Sequence, residues 1–147
     1  MINVIPYQCA RKTLLQSLQY KIIHRFYPCG YTLNLWNLES DKCNYCEKID
    51  TLQHHCVDCE QVGMFWRSVK AWTLRNFLLT IQYGTLDIVL GIPNDNKNLE
   101  INTLNFIIFF GKNYIKTCKT VKKAVDFYEF QISLKKRMVL EHLIFCR

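Results

Sequence analysis

CNYCEKIDTLQHHCVDC, residues 43–59, sets out four metal-ligand side chains as Cys43-x2-Cys46-x7-His54-x4-Cys59. Three thiolates and one imidazole suit tetrahedral zinc. A Cys-x2-Cys turn lets two thiolates reach one ion from the same loop. A ligand at the start and another near the end of a short helix then complete the tetrahedron. A set of four protein ligands leaves no position for water, which marks a structural ion rather than a catalytic one. His55 and Cys56 stand beside this set, so His55 is an alternative to His54, and Cys56 an additional candidate. The remaining alternative is a group of reduced thiols with no metal.

The stretch from Glu39 to Cys59 is polar, with too few apolar residues to bury a core of its own. One structural zinc ion would supply the stabilisation it lacks. Working outward, residues 9–26 contain no Pro or Gly, and Leu14, Leu18, Ile22, Ile23 and Phe26 recur at helical spacing, with Lys12, Gln16, Gln19 and Arg25 elsewhere. Pro28-Cys29-Gly30 is expected to end that helix, with Gly30 taking the left-handed exit conformation. A short helix over residues 31–38 follows. Beyond Cys59, Val62, Phe65, Trp66, Val69 and Trp72 predict a long helix to about Phe77 whose aromatic anchors fasten the knuckle to the helical body.

Periodicity weakens over residues 78–98, where Gly84, Gly91, Pro93 and the run Asn94-Asp95-Asn96-Lys97-Asn98 read as a connector with a short extended or helical piece. A helix over about residues 99–119 would bury Ile101, Leu104, Ile107, Ile108 and Ile115, with Gly111 costing about 1 kcal/mol relative to Ala. Asp126 with Glu129 three residues on forms the signature of a capped helix start, ahead of Phe127, Phe130, Leu134, Met138 and Leu143. The organisation expected is a flexible N-terminus over 1–8, a helix plus knuckle and aromatic helix over 9–78, a connector over 79–98, and a C-terminal helical pair over 99–147 packing on the same body. The fold class is mainly α: a small domain of four or five helices with an inserted zinc knuckle.

Half of the 147 residues are apolar, enough for a hydrophobic core, and the formal charge of +7 favours a polyanionic partner. Eight cysteines without a secretory leader point to a reducing, intracellular compartment, nuclear or cytoplasmic, where clustered cysteines bind metal. Cys9, Cys29, Cys118 and Cys146 read as free thiols. The apolar run LNFIIFF at 104–110 covers about a third of the ~20 residues that cross a bilayer, so no membrane is expected as a partner. Lys112, Lys116, Lys119 and Lys123 would share one helix face if the helix continues that far and would suit phosphates, as would the cluster Lys135-Lys136-Arg137; the bland reading of both is a solvated surface. His24 reads as a partly buried hydrogen-bonding residue, and Trp66 and Trp72 as core.

These residues resemble the zinc-binding segment near the C-terminus of reverse transcriptases encoded by non-LTR retrotransposons, the long interspersed elements (LINE). The phrase Gln19-Tyr20-Lys21-Ile22-Ile23-His24-Arg25 stands where that family carries a similar one. Thr51, His54, Cys59 and Phe65-Trp66 follow its order, and Asn105-Phe106-Ile107-Ile108 and Lys112-Asn113-Tyr114-Ile115 resemble its closing helices. The similarity spans about residues 13–145. It implies an accessory module that positions element RNA or target DNA with little sequence specificity, next to a polymerase domain. The adjacent aspartates of such a polymerase are absent, so the chain is expected to be no enzyme, to take no small-molecule substrate, and to be a separately encoded C-terminal remnant. The alternatives are a protein-docking module or a relic without function. An exposed apolar patch with the basic groups facing apart would favour docking; one continuous basic surface would favour nucleic acid.

Overall fold

In the computed structural model the structure describes residues 13–77 and 81–140. The expectations for residues 1–12, 78–80 and 141–147, Leu143 among them, lie outside the described residues. Among the described residues six α-helices and one π-helical turn follow in order: α1 Thr13–Ile23, α2 Gly30–Leu35, the π turn His54–Asp58, α3 Glu60–Phe77, α4 Thr85–Leu90, α5 Leu99–Thr120 and α6 Phe127–Leu140. The only β pairing among the described residues is an isolated antiparallel bridge between Lys42 and Ile49 inside the knuckle. The fold is mainly α, as expected. No helix among the described residues is long and apolar enough to cross a membrane.

One core joins α3, α4, α5 and α6, and the aromatic spacing read from the sequence explains it. Val62, Phe65, Trp66, Val69 and Trp72 of α3 are all buried, against Leu104, Ile107, Ile108 and Ile115 of α5 and Phe130, Leu134 and Met138 of α6. Phe65 sits at its centre, with ring centroids 5.1 Å from Trp66, 5.8 Å from Tyr114 and 4.8 Å from Phe130. These near-perpendicular and tilted contacts suit the aromatic quadrupole. Gly111 proves to be a packing requirement rather than only a helix weakness. A Cβ there would stand 2.7 Å from Cη2 of Trp66, so α3 can approach α5 closely only because that side chain is missing.

The connector contains the short helix α4, and its ends are tied into the body. Asn105, fully buried, accepts from the Ile92 N–H at 2.7 Å and donates to the Ile92 carbonyl at 2.9 Å. Asn98 caps α5 by accepting from Glu100 N–H, and Asp126 caps α6 by accepting from Tyr128 N–H at 2.9 Å. Glu129 does not complete the capping box. It pairs with Lys123 instead, while the Asp126 N–H donates to the Tyr114 hydroxyl oxygen.

Helix exits depart from the expected pattern. α1 stops at Ile23, three residues earlier than the apolar spacing suggested, because Arg25 adopts φ 59° and the Phe26 N–H turns back to the Lys21 carbonyl. Phe26 is consequently 58% exposed instead of inward-facing. Gly30 is not an exit glycine but the first residue of α2. His24 is exposed rather than partly buried, with its ring 4.2 Å from that of Tyr20. Gln19, on the face read as polar, is buried and donates to the carbonyls of Val89 and Leu90 at the end of α4. A small second core of Leu18, Ile22, Tyr27 and Cys29 lies beneath α1 and α2.

Candidate metal centre

The knuckle begins as a tight antiparallel turn. The Cys43 N–H donates to the Lys48 carbonyl at 2.7 Å, the Asp50 N–H to the Asp41 carbonyl at 2.7 Å, and Glu47 closes the turn with φ 65°. Cys43 and Cys46 are thereby held on one loop, with the Tyr45 N–H directed at the Cys43 Sγ at 3.4 Å. Thr51 then caps the next element, since its Oγ1 accepts from the His54 N–H at 3.2 Å and its carbonyl from the His55 N–H at 2.8 Å.

The π turn brings in the other two ligands. In an α-helix, residues five apart point in directions differing by roughly 140°. Here the Cys59 N–H donates to the His54 carbonyl at 3.0 Å, and this wider i to i+5 turn brings the two side chains back to one side. The ligand atoms of Cys43, Cys46, His54 and Cys59 all lie within 4.8 Å of one another. Cys43 and Cys59 sulfurs are 3.8 Å apart, and Cys46 Sγ is 3.2 Å from His54 Nε2. Thiolates about 2.3 Å from one tetrahedral ion would stand about 3.8 Å from each other, so the donor set fits. These four residues can hold a metal ion, and their chemistry is compatible with zinc.

The electrostatics fit as well. Burial opposes ionisation of Cys43, yet the N–H groups of Tyr45 and Cys46 and the Lys119 ammonium together lower its thiol from the ordinary value. Burial pushes its neighbour Cys59 up to about 11. Two thiols this close cannot both ionise without a cation between them. Burial and Lys119 lower the His54 imidazole, which favours the neutral ring a metal requires. Cys59 stands immediately before α3, where the N–H groups of Gln61 and Val62 face its sulfur.

His55 and Cys56 are excluded from the set by where the turn sends them. His55 is buried between Asp50 and Tyr27: Nδ1 is 2.9 Å from Asp50 Oδ2, and Nε2 is 2.9 Å from the Tyr27 hydroxyl. Burial opposes ionisation of Asp50, but the hydrogen bond from His55, the Gly30 N–H and Lys119 outweigh it and hold the carboxyl well below the usual range. Burial lowers His55 and raises Tyr27 well above its ordinary value. The consistent arrangement is a neutral imidazole that donates from Nδ1 to Asp50 and accepts at Nε2 from the Tyr27 hydroxyl. Cys56 is fully enclosed and pushed up to about 12 by burial, so it is an inert thiol. The Trp66 indole N–H donates to its carbonyl at 2.6 Å, which anchors the turn on α3.

The basic stripe is corrected by the structure. Lys112 is 1% exposed and donates to Gln19 Oε1 at 2.6 Å and to the Val89 carbonyl at 2.9 Å. Lys119 is 4% exposed and donates to Asp50 Oδ1 at 3.1 Å. Neither is open to phosphate. The offsets do place them on one face of α5, but that face meets α1, α4 and the knuckle rather than solvent. Lys116 is half-buried, Lys123 is exposed and paired with Glu129, Lys135 and Lys136 are exposed on α6, and Arg137 is half-buried. Asp50 and Tyr27 went unnoticed in the sequence because their partners lie up to 69 and 28 positions away. No protein-family model and no curated protein matches this chain.

Proposed function

We propose that the chain is a non-catalytic module in which one structural zinc ion orders the knuckle, and that it binds nucleic acid as the zinc-binding region of non-LTR reverse transcriptases does. The convergence of Cys43, Cys46, His54 and Cys59 within 4.8 Å carries the reading. A bound ion would contribute folding free energy rather than a reaction, because four protein ligands fill its coordination. The residues themselves provide the frame: Thr51 aims His54, the π turn aims Cys59, Asn44 fastens the loop to α5 and Tyr45 fastens it to the turn that follows α5. The Asn44 amide donates to the Lys119 carbonyl at 2.8 Å and the Tyr45 hydroxyl to the Lys123 carbonyl at 2.5 Å.

With Lys112 and Lys119 withdrawn, the surface best suited to nucleic acid lies where α1 meets α5. Tyr20 is 51% exposed against His24, Phe26 is exposed, and Lys21 and Arg25 alternate with them. Lys116 lies close enough across the helix pair for burial and the Lys21 charge to lower it from its ordinary value. No Asp or Glu occurs in residues 1–38 or 101–125, so nothing on these segments opposes a phosphate. Exposed rings beside unopposed cations form a stacking and charge surface for single strands.

The test is metal content of protein purified without added zinc, followed by binding of single-stranded RNA and DNA at two salt concentrations. One zinc per chain is expected, with affinity falling as salt rises and falling further in Tyr20→Ala/Lys21→Glu. Absence of zinc defeats the metal assignment, and unchanged binding by the double variant defeats the surface. A second reading has its own observation: Tyr31, Leu35, Trp36 and Leu38 are exposed along and after α2, an apolar strip suited to a protein partner. Zinc without any nucleic-acid binding would favour it.

A further inference from the structure

Lys119 is a buried cation that the proposed nucleic-acid surface does not use. Its ammonium lies 3.6 Å from the Cys43 sulfur and 3.1 Å from Asp50 Oδ1, and 5.5 Å from the centre of the Tyr45 ring. We infer that Lys119 is the outer-sphere cation of the metal centre, held against the Cys43 thiolate by Asp50, and that it sets the affinity of the site for its ion. The inference rests on the metal reading above.

The local charge at Cys43 gives the reason. A divalent ion with three thiolates and a neutral imidazole carries a net charge of −1, and Cys43 and Cys59 are almost fully buried. An uncompensated charge in such a place is costly. Lys119 places a positive charge directly beside one of the sulfurs; with the Asp50 carboxylate counted, the cluster as a whole still carries −1, so the ammonium acts locally on Cys43 rather than neutralising the site. A lysine ammonium on a flexible four-carbon stem needs a fixed partner to stay there, and Asp50 is that partner. Asp50 in turn is fixed from two further sides, by the Gly30 N–H at 3.0 Å and by His55 at 2.9 Å, with Tyr27 behind His55.

The backbone is shaped for this arrangement. A Cβ on Gly30 would come within 2.8 Å of the Asp50 Cβ and 3.2 Å of the Asp41 backbone. Only glycine lets the start of α2 approach the carboxylate closely enough to donate to it. The chain of contacts therefore runs from the small core under α1 and α2, through Tyr27, His55 and Asp50, to Lys119 of α5 and the Cys43 ligand. Outer-sphere partners of this kind change metal affinity by about 10- to 100-fold when removed.

Lys112 supplies an internal control. It lies on the same helix, one heptad earlier, and is equally buried, but it donates to Gln19 and to the Val89 carbonyl and lies over the Phe109 ring. Zinc affinity is measured on the full chain by competition with a chromophoric chelator, together with the absorption spectrum of the cobalt(II) form. Lys119→Met is expected to weaken zinc about 10- to 100-fold and to shift the thiolate-to-cobalt charge-transfer band to longer wavelength, because the sulfur electrons lose a stabilising cation. Lys119→Arg, which keeps the charge, is expected to restore most of the affinity. Lys112→Met is expected to lower thermal stability while leaving the band in place. If Lys119→Met does not fold, the band of Lys119→Arg against that of Asp50→Asn decides: a shift only in the variant that frees the cation supports the assignment, and identical bands overturn it. Equal affinity and identical bands in wild type and Lys119→Met overturn this inference alone, whereas a wild-type chain that takes up no metal overturns the metal reading with it.

Discussion

The knuckle and the helical body reach order by opposite routes. Between α3, α5 and α6 the chain interlocks apolar side chains, so Phe106, Ile107, Ile108, Phe109, Phe130 and Leu134 are wholly enclosed. The knuckle contributes few apolar groups. Its buried side chains are Cys43, Asp50, His54, His55, Cys56 and Cys59, polar or sulfur-bearing almost throughout. A region of this composition depends on directed contacts, and directed contacts fail together when one partner is lost. Packing in the body is distributed over many small terms and yields more gradually.

Metal removal should separate the two regions most sharply. Structural zinc sites of this kind supply apparent binding free energies of about 10–16 kcal/mol at neutral pH. Chelation, or Cys59→Ser, is expected to abolish amide-exchange protection over residues 39–60 while α5 and α6 keep theirs. Uniform loss of protection along the chain would show that the body has no independent stability. The converse lesion is Phe130→Ala, which removes a buried ring packed on Phe65, Phe110, Tyr114 and Phe127 and should cost about 3–5 kcal/mol in a denaturation experiment. Zinc stoichiometry is expected to stay at one; its loss would mean that the regions fold only together.

Acid should act on the knuckle first. His55 is held neutral by burial, so its folded value lies below the ordinary imidazole value, and the unfolded chain binds a proton that the folded one refuses. Its contribution is fully present above about pH 6.5 and is lost as pH falls from there. Asp50, also depressed, adds a further loss only below about pH 4. The fall in melting temperature between pH 7.5 and 5.5 should therefore be shallower in His55→Gln than in wild type, and parallel curves would refute the role of His55. The smallest effect belongs to the body's own cap. Asp126→Ala removes the acceptor for the Tyr128 N–H and is expected to cost about 1 kcal/mol without altering zinc binding.

Much of this was legible from residue spacing. The apolar rhythm of α3, α5 and α6 reports a property each helix carries locally, a face that must be buried, and the Cys-x2-Cys turn is local as well. Helix exits were less legible, because Arg25, Asn37 and Lys122 adopt φ values of 59°, 56° and 57° that sequence reading assigns to glycine. Their cost is offset by hydrogen bonds that close the last turn, such as Leu38 N–H to the Leu33 carbonyl and Lys123 N–H to the Cys118 carbonyl. The lysine stripe shows a different limit. Spacing places Lys112 and Lys119 on one face correctly, but a charge is read as solvent-facing unless its partner is known, and those partners are Gln19 and Asp50, 93 and 69 positions away.

The sequence by itself determined the helical class, the buried faces and a three-cysteine, one-histidine ligand pattern, since each follows from periodicity or short spacing along the chain. Only the tertiary structure decided between His54 and His55, set Cys56 aside and turned Lys119 from a surface charge into a partner of Cys43. Those outcomes depend on the widened π turn and on what lies across from it. Direction and burial are properties of the packed molecule, not of neighbouring letters.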